Sequence, residues 1–215
     1  MKNVLISGTS QGIGKATAKE FLNNGYKVTG MDRQKSTIDD VNYTHYQLDI
    51  LLDDLPILEP FEIVINNAGN QNNNDIDNNL KGTIRFNEKY AIHDGIKSIL
   101  FIASASAITG AEFYEYAASK GGMVSYMKNV ASRVCKYQAT CNAISPGGVN
   151  TSSNDHIIND EKLYQAVLNE TMLHRWTEVE ELGKWAYFLT VINKSMTSQN
   201  ILIDCGEADK SNFIW

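Results

Sequence analysis

The sequence lacks a long apolar run, an excess of basic residues and a regular set of cysteines. No apolar stretch approaches the ~18 residues of a membrane-spanning helix, so we expect no membrane partner. The net charge of −6 argues against a nucleic-acid partner, which would need a basic surface. Three cysteines without paired spacing favour structural thiols over a disulfide framework or a zinc site: Cys135, Cys141 and Cys205.

The histidines and the N-terminal residues argue against two further classes of protein, metal-binding and secreted ones. No metal is expected, because four histidines without metal-ligand spacing are best interpreted as structural or surface residues: His45, His93, His156 and His174. Met1–Ile6 lead directly into glycines, which leaves no room for the apolar core of a signal peptide, so we expect a cytoplasmic protein. The 215 residues, 43% of them hydrophobic and 20% charged, are typical of one globular domain spanning 1–215.

The first half of the chain alternates short apolar runs with a helical pattern. Val4–Ile6 precedes glycines, as expected of a buried parallel strand that enters a phosphate-binding turn. A helix that Gly25 can cap is predicted next, followed by strands at 28–31 and 43–48. This order of strand, helix and strand predicts the opening of a doubly wound α/β sheet.

The second half continues this alternation with two irregular segments. The thirteen residues from 50 to 62 include Pro56 and Pro60, so a short helix or a loop is predicted there. Six of the ten residues from Asn70 to Asn79 are asparagine, which predicts a polar surface loop. The remaining predictions are strands at 63–66, 98–103, 140–144 and 201–203, and helices from about Leu80, from Tyr116 to about Tyr137, and from a capping box at 177–180 to about Val191.

A glycine-rich turn follows the first strand, in Ser7-Gly8-Thr9-Ser10-Gln11-Gly12-Ile13-Gly14. Glycines let backbone N–H groups approach a pyrophosphate, and the N-terminus of the next helix adds a favourable dipole. Asp32 lies twenty residues after Gly12, where an acid would hold the hydroxyls of a ribose. The strand before the turn, the helix after it and Asp32 together predict a dinucleotide site.

Tyr116 and Lys120 stand four residues apart in a predicted helix and therefore share one face. A tyrosine ordinarily titrates near pH 10, and a nearby fixed cation favours its phenolate. Such a pair beside a bound nucleotide is suited to proton transfer.

These motifs together resemble the classical short-chain dehydrogenase/reductase family, over residues 3 to about 206. The matching segments are the glycine loop with Ser7 in place of threonine, Asn66-Asn67-Ala68-Gly69, Asn79-Leu80 before Gly82, Ser104 twelve residues before Tyr116, Tyr116 with Lys120, and Asn142–Thr151. The resemblance implies a single Rossmann-type, doubly wound domain with a seven-stranded, largely parallel sheet.

The resemblance also implies four catalytic roles. Tyr116 exchanges the proton of the substrate oxygen, Lys120 stabilises its phenolate and holds the nicotinamide ribose, and Ser104 hydrogen-bonds the substrate oxygen. Asn79 would anchor a water in a proton relay, although it could also be one more member of the polar asparagine run. Ser106 is a rival to Ser104, but it lies only ten residues before Tyr116.

The cofactor contacts implied by the resemblance come from the loops that follow the strands. They are Gly8, Ser10, Gln11, Gly12, Ile13, Gly14, Asp32, Arg33, Asp49, Ile50, Asn67, Ala68, Gly69, Tyr116, Lys120, Pro146, Gly147, Val149 and Thr151. NAD is favoured over NADP, because Asp32 can accept from two ribose hydroxyls and would repel a 2′-phosphate. Arg33 is the opposing signal, since it could contact a phosphate or stack on adenine.

The leading hypothesis is an NAD(H)-dependent oxidoreductase that interconverts a secondary alcohol and a ketone. An NADPH-dependent carbonyl or 3-oxoacyl reductase is the alternative enzyme. A nucleotide-sensing or scaffold protein without turnover is the alternative from another class, and the intact Tyr116–Lys120 pair argues against it. The segment 152–173 contains several apolar residues and is predicted either to cover the substrate site or to pack on the body of the domain.

The first testable prediction concerns assembly. Relatives commonly associate through the helix before the fifth strand and the Tyr-Lys helix, which here carries Met123, Tyr126, Met127 and Val130. Phe213-Ile214-Trp215 would be costly to leave in water. We therefore predict a homodimer or homotetramer by light scattering, and a loss of stability or substrate affinity when residues 211–215 are deleted. A monomer at micromolar concentration would contradict the assembly, and an unchanged deletion variant would contradict the role of the tail.

Overall fold

In a computed structural model, which describes residues 2–71, 73–111 and 113–210, seven strands form one parallel sheet. The strands are β1 (Asn3–Ser7), β2 (Lys27–Asp32), β3 (Tyr43–Gln47), β4 (Ile63–Asn66), β5 (Ser98–Ile102), β6 (Thr140–Pro146) and β7 (Asn200–Ile203). Their order across the sheet is β3-β2-β1-β4-β5-β6-β7, and every neighbouring pair is parallel. The predicted doubly wound α/β architecture is confirmed.

Helices cover both faces of the sheet. They are α1 (Gly12–Asn23), α2 (Gly82–Tyr90), α3 (Ser106–Thr109), α4 (Tyr114–Val134), α5 (Asp155–Ile158), α6 (Glu161–Leu168) and α7 (Val179–Tyr187). π-Helical turns precede α2, at Ile76–Lys81, and follow α7, at Phe188–Ile192, while 3-10 turns occur at Cys135–Tyr137 and Ser152–Asn154. None of the helices formed by the described residues is long and apolar enough to cross a membrane.

Alternate residues of the central strands point into two separate cores. On one face, Leu5 of β1 packs in a cluster with Phe86 of α2 and Met127 of α4. On the other face, Ile6 packs in a cluster with Phe21 of α1 and Leu182 of α7. Because side chains along a strand alternate between faces, each apolar run of the sequence supplies both layers at once.

Helix α1 ends as the sequence predicts. Gly25 has φ +75°, its N–H donates to the carbonyl of Leu22, and the N–H of Tyr26 donates to the carbonyl of Phe21. This arrangement pairs the last carbonyls of the helix through a left-handed residue, which glycine adopts without a steric penalty.

The asparagine-rich segment is only partly the loop that its composition predicts. Residues 76–81 form a π-helical turn that leads into α2, and Asn79 lies within that turn, fully buried. The Asn79 amide donates to the carbonyl of Asn70 and accepts from its N–H, both at 2.8 Å. Composition predicts turns because asparagine side chains compete for backbone groups, and here they do so across nine residues while the backbone remains helical.

The capping box predicted at 177–180 is wrong. Helix α7 begins at Val179 with Glu178 at its N-cap position and no side-chain capping bond. Thr177 instead pairs with the loop after β6, since its N–H donates to Gly148 and its carbonyl accepts from Asn150. This bridge fixes the Thr177 backbone, and its hydroxyl lies 3.5 Å from the carbonyl of Ile203 rather than at the helix start.

The structure also corrects details of α4. The helix starts at Tyr114, two residues before Tyr116, and ends at Val134 before a short 3-10 turn to Tyr137. Met123, Met127 and Val130 are fully buried in their own subunit, so they do not supply an apolar surface for assembly. The assembly itself stays a prediction, and the tail at 211–215 lies outside the described residues.

Candidate active site

One large cavity, of about 770 Å³, opens at the carboxyl ends of the strands, beside the position where the order of the sheet reverses between β1 and β4. Sheets of this type bind ligands at such a reversal. Most of the predicted site residues line the cavity: Gly8, Gln11, Gly12, Ile13, Asp32, Arg33, Asp49, Ile50, Asn67, Ala68, Gly69, Ser104, Tyr116, Lys120, Pro146, Gly147, Val149 and Thr151. Ser10, Gly14 and Asn79 do not line it.

The glycine turn is held against the end of β4. Asn67 donates its side-chain amide to the carbonyls of Ser7 and Gly8, at 3.0 and 2.9 Å. Gly8 has φ +76°, and a Cβ there would lie 2.7 Å from Nδ2 of Asn67. A Cβ on Gly14 would overlap the Gly8 carbonyl, so the turn can pack this closely on α1 only with a glycine at this position. Gly14 therefore contacts the turn itself and does not line the cavity.

The start of α1 fits a dinucleotide phosphate. Gln11, at the N-cap position, is extended and makes no side-chain capping bond, and Gly12 begins the helix with φ +53°. A Cβ on Gly12 would find its nearest neighbour, the Thr151 methyl, at 3.6 Å, which is an ordinary contact, and Gly12 itself lines the cavity. The first N–H groups of a helix have no intrahelical partner, so those of α1 are the groups that would hold an anion here.

Asp32 lies at the end of β2 with both carboxylate oxygens held by backbone groups. Oδ2 accepts from the N–H of Ser10 at 2.9 Å, and Oδ1 accepts from that of Gln34 at 2.8 Å. These bonds fix the carboxylate between the glycine turn and the loop after β2. Ser10 thus orients Asp32 rather than lining the cavity itself.

Arg33, the opposing signal for cofactor choice, is an exposed side chain beside Asp49. Its NH1 lies 3.8 Å from Oδ2 of Asp49, which follows β3 at the same edge of the sheet. An exposed pair at this distance contributes little to stability. It does place a carboxylate next to the guanidinium, which weakens the attraction of Arg33 for a phosphate.

Tyr116 and Lys120 occupy the first two turns of α4 and face the same cavity. The ammonium of Lys120 lies 5.6 Å from the centroid of the Tyr116 ring and donates to the carbonyl of Ile102, at 2.9 Å. Lys120 is only 4% exposed, and this burial lowers its pKa from 10.5 to about 8, an effect that the nearby carboxylate of Asp75 opposes. The pair predicted from the sequence therefore converges, with the lysine buried.

Ser104 and its rival Ser106 both line the cavity after β5. Oγ of Ser104 accepts from the N–H of Ser106, at 3.2 Å, and donates to its Oγ, at 3.3 Å. The two hydroxyls are thus adjacent, and Ser106 begins α3. The preference for Ser104 stays a prediction.

Asn79 lies behind the cavity rather than within it. Besides its bonds to Asn70, its amide donates to Oγ of Ser119, the neighbour of Lys120 on α4, at 3.2 Å. A Cβ on Gly69 would lie 3.1 Å from Oδ1 of Asn79 and 3.3 Å from Nζ of Lys120. Asn79 is therefore not a solvated member of the asparagine run, and its role in a water relay stays a prediction.

Sequence reasoning missed several residues at the site. Asp75 is buried close enough to influence Lys120, while Trp176 and Glu207 line the cavity. His156 also lines it as an exposed side chain, which agrees with its interpretation as a surface residue. Of these residues, only Asp75 could have been found from the sequence, because it directly precedes the helical turn at Ile76–Lys81 and acids are common at the start of a helix. Within the described ranges, no group of three His, Cys, Asp or Glu side chains could hold a metal ion.

The comparisons with known proteins agree with this geometry. The family model described as enoyl-(acyl carrier protein) reductase matches residues 8–207. A 3-oxoacyl-[acyl-carrier-protein] reductase of Buchnera aphidicola is 25% identical, covering 87% of this chain and 89% of the relative. A glucose 1-dehydrogenase of Gluconobacter oxydans is 24% identical, covering 95% and 91%.

A solved structure shares the fold over nearly its whole length. The crystal structure of a short chain dehydrogenase family protein from Francisella tularensis superposes with a TM-score of 0.84 at 24% identity, covering 98% of this chain and all of that one. The chain belongs to the short-chain dehydrogenase/reductase family. It is accordingly an oxidoreductase that acts on alcohol or carbonyl groups.

The buried ammonium of Lys120 generates a prediction about stability and pH. The unfolded state releases this proton near pH 10.5 but the folded state near 8, so between these values the unfolded chain binds more protons and folding becomes more favourable as the pH rises. Relative to Lys120→Met, the free energy of unfolding of the parent should increase by about 3 kcal/mol from pH 7.5 to 10.5. Urea titrations of both proteins measure this difference, and parallel pH curves would contradict it.

Proposed function

We propose that the protein is an NAD(H)-dependent oxidoreductase that interconverts a secondary alcohol and a ketone. The observation that carries the proposal is the convergence of Tyr116, the buried Lys120 and Ser104 on the cavity that the glycine turn also lines. A bound nicotinamide dinucleotide would supply or accept the hydride. The residues of the chain then have to position the substrate oxygen and move its proton.

Tyr116 is the acid and base of this mechanism. In reduction its phenol gives a proton to the substrate oxygen, and in oxidation its phenolate takes that proton back. The Lys120 ammonium, 5.6 Å from the ring, stabilises the phenolate, and its bond to the Ile102 carbonyl keeps it in place. Ser104 donates a hydrogen bond to the same oxygen and so holds the reacting carbon in position.

Asn79 supports the proposed proton path from a buried position outside the cavity. Its side chain ties Asn70 to Ser119, and the absence of a side chain at Gly69 leaves the Lys120 ammonium and Asn79 close to a common point. We assign to this point a water that returns protons from Lys120 towards solvent.

The dinucleotide is assigned along the cavity. Gly12 and Ile13 would hold the pyrophosphate before α1, and Asp49 and Ile50 would contact the adenine. The nicotinamide end would be held by cavity-lining residues after β4 and β6: Asn67, Ala68, Gly69, Pro146, Gly147, Val149 and Thr151.

NAD is proposed over NADP because of Asp32 and Asp49. The Asp32 carboxylate is fixed by two backbone N–H groups beside the ribose position, where its charge opposes a 2′-phosphate. Arg33 has Asp49 beside it. The second candidate, an NADPH-dependent 3-oxoacyl reductase, is favoured by the names of relatives such as the Buchnera reductase.

The segment 152–173 is proposed to cover the substrate. Helices α5 and α6 lie within it, and Ile157, Val167 and Glu170 line the cavity. A segment of short helices at the mouth of a site can close over a ligand and exclude water from the reaction.

The Tyr116→Phe variant tests the mechanism. Removing the phenolic oxygen should lower kcat by about a hundredfold or more, because it removes the general acid and base. Affinity for the dinucleotide, measured by the fluorescence of NADH, should change only a few-fold. Tyr114→Phe is the matched control, because Tyr114 lies on the same helix and is 84% exposed. Full activity of Tyr116→Phe would refute the mechanism, and a large loss of affinity would make Tyr116 structural.

Cofactor choice is tested with Asp32→Ala. This change removes a charged acceptor and a repulsive charge together, so the Kd for NADH should rise about tenfold while that for NADPH falls. Asp39→Ala, an exposed acid in the loop after β2, removes the same charge elsewhere and should leave both constants unchanged. If the parent protein already binds NADPH more tightly, Arg33 outweighs Asp32 and the NAD assignment is wrong.

A further inference from the structure

The backbone of Gln34, in the loop after β2, helps to hold the Asp32 carboxylate in place. The Gln34 N–H donates to Oδ1 of Asp32 at 2.8 Å, and the Gln34 carbonyl accepts from Oγ of Ser10 at 3.0 Å. Because the N–H of Ser10 donates to Oδ2 of Asp32, these three residues form a closed ring of hydrogen bonds around the carboxylate. Asp32 and Gln34 both line the cavity. A shift of the Gln34 backbone would therefore move the carboxylate.

A second group reaches the Gln34 carbonyl from β3. Nε2 of His45 lies 2.9 Å from this oxygen, and Nδ1 of His45 lies 3.0 Å from the hydroxyl of Tyr43 on the same strand. The Tyr43 hydroxyl lies in turn 2.8 Å from Oγ1 of Thr9, which is fully buried in the glycine turn beside Ser10. Three hydrogen bonds thus connect the loop after β2 to the glycine turn by way of β3.

The direction of each hydrogen bond in this connection follows from the carbonyl at its end. A carbonyl can only accept, so the proton of a neutral His45 ring lies on Nε2 and is donated to Gln34. Nδ1 then carries a lone pair, so the Tyr43 hydroxyl donates to it. The Tyr43 oxygen accepts from the Thr9 hydroxyl. Every donor in the connection therefore meets an acceptor.

Gly30 leaves the space that the connection needs. It lies within β2, opposite His45 of β3, and a Cβ there would overlap both the Tyr43 hydroxyl and Oγ1 of Thr9. A glycine inside a strand costs stability, because it has more conformational freedom to lose and no side chain to pack. Gly30 does not have a positive φ, so its role is to leave room rather than to permit a turn.

We propose that His45 and Tyr43 are positioning residues for the adenosine half of the dinucleotide. They hold the Gln34 carbonyl and the glycine turn in a fixed relation, and so keep the Asp32 carboxylate beside the ribose position. The inference rests on the proposed dinucleotide-dependent function, and it adds two residues that do not line the cavity themselves. It assigns them to the affinity for the cofactor and not to the proton transfer at Tyr116.

The test measures the binding of ADP-ribose, which lacks the nicotinamide ring, by titration calorimetry. In His45→Phe the ring size is kept but the Gln34 carbonyl loses one of its two donors, so the Kd should rise about fivefold. His45→Gln, whose amide can donate in place of Nε2, should recover most of the affinity. His93→Phe makes the same change before β5, away from the cavity lining, and should leave the Kd unchanged. A folding defect would lower the number of binding sites instead of raising the Kd.

A double-variant comparison tests whether the two residues act through one connection. Tyr43→Phe should raise the Kd for ADP-ribose about tenfold, because it also leaves the buried Thr9 hydroxyl without an acceptor. Once Tyr43 has been changed, the further loss of His45 should have little effect, so the double variant should bind about tenfold and not about fiftyfold more weakly than the parent. In the parent, ¹⁵N NMR at about pH 8, where an imidazole is ordinarily neutral, should show the His45 proton on Nε2.

Four results would overturn the inference: an unchanged Kd in both single variants, multiplied effects in the double variant, no recovery in His45→Gln, or a His45 proton on Nδ1. A parent protein that does not bind ADP-ribose would overturn it as well. Full activity of Tyr116→Phe would instead refute the proposed mechanism. That outcome would leave the binding measurements intact, because they require no turnover.

Discussion

The hydrogen bond from the Lys120 ammonium to the Ile102 carbonyl is the contact on which the candidate active site depends. A buried ammonium has to be compensated, because its desolvation is costly. Here the compensation comes from a carbonyl at the end of β5, 2.9 Å away, and from the nearby Asp75 carboxylate. The helix carrying Lys120 must therefore lie close to the strand end, and this position also brings Tyr116 to the cavity. The low pKa of Lys120 is a consequence of the same burial.

A second set of polar contacts fixes the helices on that side of the sheet. The Asn66 amide donates to Oδ1 of Asn87 at 3.0 Å, and the Asn87 amide donates to the hydroxyl of Tyr126 at 3.1 Å. Tyr126 donates to Glu88, and Arg133 binds both oxygens of Glu88, which lowers the pKa of that carboxyl. This chain of bonds runs from the surface of α4 to the end of β4. Asn67, the next residue, holds the glycine turn. Helices α2 and α4 and the glycine turn are therefore all positioned by hydrogen bonds that start at the end of β4.

Glycines, which have no side chain, shape the cavity as much as the polar groups do. Gly8 and Gly14 let the turn close on Asn67, Gly69 leaves space between Asn79 and Lys120, and Gly147 with Gly148 admits Glu207 and Trp176. The first three positions belong to the proposed dinucleotide site and proton path. The last two leave room for a carboxylate and an indole against the end of β6, where both line the cavity. At Gly8, Gly14, Gly147 and Gly148 an added Cβ would lie less than 3 Å from a neighbouring atom, so close packing disfavours even one added carbon, whereas at Gly69 it would make only a tight contact with Asn79 at 3.1 Å.

The sequence alone determined the parts of this protein that are local. The glycine turn follows from a strand, three glycines and a helix in succession, and Tyr116 with Lys120 follows from helical spacing, because neighbours four apart share a face in any helix. The order of strands and helices likewise predicted the doubly wound sheet. Only the tertiary structure decided that Asn79 is buried, that Thr177 pairs with Gly148 instead of capping α7, and that Glu207 reaches the cavity. Glu207 and Gly148 are separated by 59 residues. Contacts at such separation depend on how β6 and β7 pair and on what space the glycines leave, which no local pattern encodes.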